Sequence, residues 1–113
     1  MTPAELKSQV EANQNVLSVK MELLRDMVNV KRLGVHVCDE ISRTLHREGL
    51  GHFPAELVPD AWAEARIYRL GTPMAELIAA TSDPGESGDA VLRDLAEGSA
   101  TETLERIRAL VCA

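Results

Sequence analysis

The sequence has few aromatic residues and no long apolar run. Phe53, Trp62 and Tyr68 are the only aromatic residues of the 113, although 45% of the chain is hydrophobic. We therefore expect a core of aliphatic side chains, and we do not expect the stacking platforms that bind single-stranded nucleic acid. No run of about 18 apolar residues occurs, so no membrane-spanning helix is predicted. The amino-terminal residues also lack the basic and apolar regions of a signal peptide.

The sequence also lacks the patterns typical of metal sites and catalytic centres. Cys38 and Cys112 lie far apart, and His36 and Cys38 on a helix would point about 200° away from each other, so they cannot share one ion. Cys38 falls in an apolar stripe and should be a small buried residue, whereas His52 should be a hydrogen-bonded loop residue. No glycine-rich phosphate loop, Gly-x-Ser-x-Gly or His-Glu-x-x-His motif occurs. We therefore expect a non-enzymatic protein with free thiols, no metal and no cofactor, located in the cytoplasm.

Acidic residues exceed basic ones, and the excess lies near the carboxyl terminus. The formal net charge is −6. Residues 1–30 carry −1 and residues 31–69 carry no net charge, whereas residues 70–113 carry −5 because they hold three basic and eight acidic groups. An acidic segment repels phosphate groups, so this region suits a protein partner or serves solubility.

Between residues 16 and 70 the hydrophobic period changes in a distinctive order. The alternating run 16–21 predicts a strand, and a period of about 3.6 residues predicts a helix over 22–30. A longer helix is predicted over 35–48, with Val37, Cys38, Ile41 and Leu45 in its apolar stripe. Gly34 stands in the turn between the helices, where a positive φ is often needed. Two segments rich in β-formers follow, around 50–53 and 66–70.

Helices are also predicted at both ends of the chain. Thr2-Pro3 and Thr72-Pro73 are helix-start signals, and the two helices should end near residues 13–15 and Ala80. The polar segment 82–88 is predicted to be a loop, after which Asp89 caps a helix. Thr101 or Thr103 would cap a last helix, and residues 89–112 form either two helices or one bent helix. We expect a single domain, 1–113, with a core over 16–70 and a helical extension over 72–112.

Strand, helix, turn, helix and hairpin follow each other as in a winged helix-turn-helix. The pattern is carried by Leu17-Ser18-Val19-Lys20-Met21, Leu24-Arg25, Arg32-Leu33-Gly34, Val37, Ile41, Leu45 and Gly49-Leu50. This segment resembles a winged helix-turn-helix module of actinobacterial type. The resemblance implies a mainly α (α+β) fold, in which a winged helix-turn-helix with a small β-hairpin is followed by additional carboxyl-terminal helices. It also implies a DNA-binding or regulatory role, because the second helix of such a unit can enter the major groove.

Basic side chains on and around this second helix are the candidate contacts to duplex DNA. Arg43 and Arg47 lie one turn apart and should contact the DNA backbone or guanine, while His46 should contact a backbone oxygen. The full set of candidate nucleic-acid-binding residues is Lys31, Arg32, His36, Arg43, His46, Arg47, Arg66 and Arg69. Asp39 and Glu40 are expected near the first turn of the same helix, where they suit the helix dipole but repel phosphate groups.

A different function remains open for the same fold. Trp62 either packs over the sheet edge or anchors a protein partner, since tryptophan is enriched at binding hot spots. In that alternative the chain is a protein-interaction adaptor that uses Trp62 and its acidic carboxyl-terminal region and does not bind DNA. We also expect a homodimer, because the carboxyl-terminal helices carry apolar stripes and helix-turn-helix proteins commonly have two-fold symmetry.

Overall fold

The fold contains five helices and three strands within the part of the chain that the structure describes. The computed structural model describes residues 1–97 and 108–109. The elements, in chain order, are α1 (Pro3–Ala12), β1 (Val16–Lys20), α2 (Met21–Met27), α3 (Val35–Arg47), β2 (Leu50–Phe53), β3 (Glu64–Arg69), α4 (Pro73–Ser82) and α5 (Glu86–Glu97). The class is therefore mixed α+β. The chain divides into two compact units, Met1–Ala75 and Glu76–Ala113.

The sheet of the first unit is antiparallel, and its central strand is the last one in the sequence. The strand order is β1-β3-β2. Val19 of β1 lies opposite Ala65 of β3, and Leu50 of β2 lies opposite Arg69. Residues 54–63 form the loop that joins β2 to β3. β1 confirms the strand predicted over 16–21, although it ends at Lys20. β2 and β3 confirm the strands predicted around 50–53 and 66–70, although β3 begins at Glu64 and ends at Arg69.

The core of the first unit is aliphatic, as the scarcity of aromatic residues predicts. Among the described residues, every buried hydrophobic side chain belongs to Leu, Val, Ile, Ala, Met or Cys. The largest fully buried side chains are Leu6, Val10, Met21, Leu24, Ile41, Leu45, Leu50 and Ile67. They come from all three helices and from the inner face of the sheet, so each element contributes its apolar side. Each such side chain stabilises the fold by about 1.5–3 kcal/mol.

Two predicted helix starts are confirmed by their hydrogen bonds. Oγ1 of Thr2 accepts from the backbone N–H of Glu5 at 3.2 Å, and Oγ1 of Thr72 accepts from the backbone N–H of Ala75 at 3.3 Å. Each threonine thereby satisfies a backbone donor that the first turn of a helix leaves free. α1 ends at Ala12, close to the predicted end, and α4 continues two residues beyond Ala80.

The turn between α2 and α3 differs from the prediction. α2 ends at Met27, and the residue with positive φ is Asn29, at 59°. Asparagine tolerates this left-handed conformation, so it ends the helix earlier than the hydrophobic period suggests. Gly34 has φ of −152° and is the extended N-cap residue of α3, so the positive φ predicted for it is wrong.

The start of α5, in the second unit, also differs from the prediction. α5 begins at Glu86, and the backbone N–H of Asp89 donates to the carbonyl of Gly85 at 2.9 Å. Asp89 is therefore inside the helix and does not cap it. Four of the seven residues predicted as a loop are helical, Ser82 at the end of α4 and residues 86–88 at the start of α5. The first turn of α5 contains no apolar side chain, so no hydrophobic period marked it as helical. The helix caps predicted at Thr101 or Thr103 lie outside the described residues.

Candidate nucleic-acid interface

α3 has one buried side and one exposed side. Cys38, Ile41 and Leu45 are buried, at the helical spacing predicted for the apolar stripe. Exposed residues at the same period form the opposite side, namely His36, Glu40, Arg43 and Arg47. Gly49, with φ of 75°, follows the C-cap residue Glu48 and ends the helix as predicted. Because the buried stripe fixes the rotation of α3, the arginines face solvent.

Arg43 and Arg47 are free to bind an anionic partner. Both are exposed, and within residues 1–97 neither takes part in an ion pair. Together with Ser42 and His46 they line one shallow surface depression. The carboxyl-terminal half of α3 therefore carries two guanidinium groups and an imidazole on a continuous surface.

The amino-terminal half of α3 is acidic on its exposed surface. Asp39 and Glu40 are both exposed. The first turn of α3 contains no acidic residue, so these two side chains lie one turn further into the helix than predicted. The helix begins at Val35, as predicted, so Asp39 and Glu40 are its fifth and sixth residues and lie beyond the free N–H groups that would favour them. Their charge is therefore an unfavourable feature for phosphate binding that the helix dipole does not offset.

The remaining candidate cations lie in two other places. Lys31 and Arg32 are exposed in the connection between α2 and α3. Arg66 and Arg69 are exposed on β3, and the burial of Ala65 and Ile67 places them on opposite faces of the strand, as predicted. Nη1 of Arg69 lies 3.9 Å from Oε1 of Glu11, so α1 partly neutralises this arginine.

The loop between β2 and β3 supplies no cation. Residues 54–63 contain Glu56 and Asp60 and no lysine or arginine. Trp62 near the end of this loop is 72% exposed, so it does not pack away under the sheet edge. Its backbone N–H donates to Oδ1 of Asp60 at 3.0 Å, and Nζ of Lys20 lies 4.9 Å from its ring centroid.

A histidine connects α3 to the start of this loop. Oγ of Ser42 lies 2.7 Å from Nε2 of His52, and Nδ1 of His52 lies 2.8 Å from the carbonyl oxygen of Pro54. Because a carbonyl only accepts, Nδ1–H donates to Pro54, and in the neutral imidazole Nε2 accepts from the Ser42 hydroxyl. The hydrogen bonding predicted for His52 is confirmed, but the residue lies in β2 and not in a loop. Sequence reasoning missed its partner Ser42, since a serine inside a helix carries no signal of a contact with a distant strand.

A cavity lies beside this hydrogen-bonded group, between α3 and the loop. Its lining includes Cys38, Asp39, Ser42, His52 and Leu57. Burial raises the pKa of the Cys38 thiol, and the neighbouring charge of Asp39 raises it further. A thiol that resists ionisation is a poor nucleophile and a poor metal ligand. Cys38 therefore behaves as the small buried residue that the sequence predicts.

The described residues contain no group of three or more His, Cys, Asp or Glu side chains placed to hold a metal ion. In the same part of the chain, no helix is both long enough and apolar enough to cross a membrane. No protein-family model matches the chain, and no curated protein and no solved structure matches it at a significant level.

Proposed function

We propose that residues 16–70 form a winged helix-turn-helix that binds duplex DNA through the exposed side of α3. The order of β1, α2, α3, β2 and β3, with β3 between the other two strands, is compatible with such a layout. In this arrangement α3 is the helix that enters the major groove, and the 54–63 loop is the wing.

The observation that carries the proposal is the pair of free guanidinium groups on α3. Arg43 and Arg47 are one helical turn apart, exposed and without ion pairs among residues 1–97. Guanidinium groups bind phosphate or the edge of guanine with two hydrogen bonds, and a helix presents two of them at a spacing that follows a groove. Lys31 and Arg32 in the preceding turn would add phosphate contacts.

A protein-binding adaptor is the second candidate function. It is favoured by the wing loop, which has two acidic residues and no basic one, and by the exposed Trp62. In this alternative Asp39 and Glu40 cancel the nearby cations on α3, and the acidic carboxyl-terminal region contributes to the partner interface.

Duplex binding over a salt series distinguishes the two functions. We expect a labelled duplex of about 20 base pairs to bind at about 50 mM salt and to weaken steeply towards about 200 mM, because bound cations release counterions from DNA. A plot of log affinity against log salt has a negative slope. Arg43→Ala with Arg47→Ala should make this slope shallower by about 2, one unit for each lost phosphate contact.

The matched control removes two arginines that are already paired. Arg25 lies 3.3 Å from Asp26, and Arg93 lies 2.9 Å from Glu86. Arg25→Ala with Arg93→Ala changes the net charge equally and should leave the slope nearly unchanged. Absence of duplex binding at the lowest salt, or an equal loss in the control, would exclude the DNA-binding function and leave the adaptor.

A further inference from the structure

All three aromatic residues of the chain lie outside the core, on one surface. Because Ala65 and Ile67 of β3 are buried, Glu64, Arg66 and Tyr68 lie on the other face of the strand. The strand register places Phe53 opposite Arg66 and Lys20 opposite Glu64. We call this surface the outer sheet face and define it by Lys20, Phe53, Trp62, Glu64, Arg66 and Tyr68.

Phe53 and Tyr68 are neighbours on the outer sheet face. Tyr68 is opposite Gly51, two residues along β2 from Phe53, so the two residues are diagonal neighbours, a separation that aromatic side chains can span. A Cβ atom built on Gly51 would lie 2.6 Å from Cε2 of Tyr68, which shows that the tyrosine ring covers the glycine. Phe53 is 43% exposed. Two ring systems are thus available to a flat partner.

Trp62 continues the row of aromatic residues beyond the start of β3. The backbone carbonyls of Ala61 and Ala63 accept from Glu22 and Met21, so this part of the loop is fixed to the start of α2. The indole is 72% exposed and has Nζ of Lys20 at 4.9 Å from its centroid. Trp62 is therefore a large aromatic surface on a backbone that is held in place.

Two cations lie beside these rings. Lys20 stands beside Trp62, and Arg66 stands between Phe53 on β2 and Ser18 on β1. Within residues 1–97, Arg66 forms no ion pair. The two cations, Lys20 and Arg66, are matched by the carboxylates of Glu64 and of Asp60 beside Trp62, so this surface carries no net charge in a chain whose net charge is −6.

We propose that the outer sheet face binds single-stranded DNA. Bases stack on Phe53, Tyr68 and Trp62, while Lys20 and Arg66 contact the phosphates. A protein partner would be better served by a contiguous apolar patch, whereas here Arg66 and Glu64 separate Trp62 from the pair formed by Phe53 and Tyr68. The choice of DNA over RNA rests on the duplex-binding function proposed for α3. The stacking of bases on the three rings does not depend on that function. Three aromatic residues suffice to stack bases, because the sheet places all three on one face. The composition alone did not show this grouping.

Trp62 is the only tryptophan, so its fluorescence reports on this surface directly. Titration with oligo(dT) at low salt should quench the emission, since a stacked base quenches an indole. Phe53→Ala should weaken oligo(dT) binding about 5- to 150-fold, the range for loss of one stacked base. Arg66→Gln should reduce the salt dependence by about one ion.

Two controls separate this site from α3 and from general surface effects. Val58→Ala removes another exposed apolar side chain, on the wing loop, and should leave oligo(dT) binding unchanged. Arg43→Ala with Arg47→Ala should also leave it unchanged, so failure of the duplex function and failure of the single-strand site give different results. Circular dichroism of each variant verifies that it is folded.

Three outcomes would overturn the proposal. The first is an emission that oligo(dT) does not change at about 50 mM salt. The second is an emission that an acidic, aliphatic peptide quenches while oligo(dT) does not, which would assign the face to a protein partner. The third is oligo(U) binding more than about tenfold tighter than oligo(dT), which would assign it to RNA, where the 2′-hydroxyl adds contacts.

Discussion

At the scale of single residues, His52 and Ser42 couple α3, the candidate recognition helix, to the loop that joins β2 to β3. The imidazole spans from the Ser42 hydroxyl on α3 to the Pro54 carbonyl at the start of the loop. Each hydrogen bond contributes about 0.5–1.5 kcal/mol net, and a partly buried imidazole that loses one is left with an unsatisfied nitrogen. The surface formed by α3 and the loop therefore depends on these two side chains, although neither is expected to contact DNA.

Cys38 should make stability depend on pH in the alkaline range. Its folded-state pKa is raised by burial and by Asp39, so the folded chain retains the thiol proton where the unfolded chain releases it. This stabilising contribution is complete below the unfolded value of about 8.5 and is lost as pH rises through the folded value. The free energy of unfolding should therefore fall as the pH rises above about 8.5, the ordinary thiol pKa.

Urea unfolding of two proteins measures this effect. Both carry Cys112→Ser, and one of them also carries Cys38→Ala. The alanine variant should be less stable at every pH, because it loses buried volume, but its stability should fall less steeply above pH 8, near the ordinary thiol range. Parallel curves for the two proteins would contradict the role assigned to the Cys38 thiol.

At the scale of elements, two glycines at the ends of α3 should respond oppositely to one substitution. Gly34 is extended, has no atom within 4 Å of an added Cβ and makes no side-chain capping bond. Gly34→Ser should therefore stabilise the protein by a few tenths of a kcal/mol through a new N-cap. Gly49 has φ of 75°, so Gly49→Ser should cost about 1 kcal/mol.

Thermal unfolding of the two variants tests both ends of the helix together. If Gly34 instead required the positive φ that its place in the turn suggests, Gly34→Ser would lower the melting temperature as Gly49→Ser does. A rise for the first variant with a fall for the second confirms the boundaries of α3.

A strong hydrophobic period predicted α3 and β3 correctly. The errors lie at element boundaries, where the sequence has no clear hydrophobic period. α3 has three buried residues at spacings of three and four, and β3 alternates buried and exposed positions, so each was evident from its pattern. The end of α2 depends on the backbone conformation of Asn29, which hydrophobic spacing does not record. The first turn of α5, residues 86–88, contains no apolar residue, so the hydrophobic period predicted this helix only from Asp89 onwards.

At the scale of the whole molecule, the candidate site was predicted in its parts but not in its arrangement. Helical spacing placed Arg43 and Arg47 together because both lie on one element. The grouping of Phe53, Tyr68 and Trp62 depends on how β2 and β3 pair and on where the loop returns. Register between segments is a long-range property, and a one-residue slip would move Phe53 to the inner face. The sequence could therefore predict the strands without predicting the surface they form.

The apolar stripe of α5 is the surface through which we expect two copies to associate. Val91 and Leu92 are 38% and 37% exposed, and this helix contains no buried residue. Leu92→Glu should convert a dimer to a monomer, because a carboxylate in an apolar interface loses hydration without gaining a partner. Ala90→Glu is the matched control, since position 90 lies on the opposite side of the helix and adds the same charge.

Light scattering coupled to size exclusion, over a range of protein concentrations, measures the mass of each variant. A dimeric Ala90→Glu protein and a monomeric Leu92→Glu protein would locate the interface on α5. A monomeric parent chain would exclude the homodimer. Dimerisation would also place two α3 helices on one molecule, so Leu92→Glu should weaken binding to a duplex with two half-sites more than binding to one half-site. Equal losses on both duplexes would show that association through α5 does not serve DNA binding.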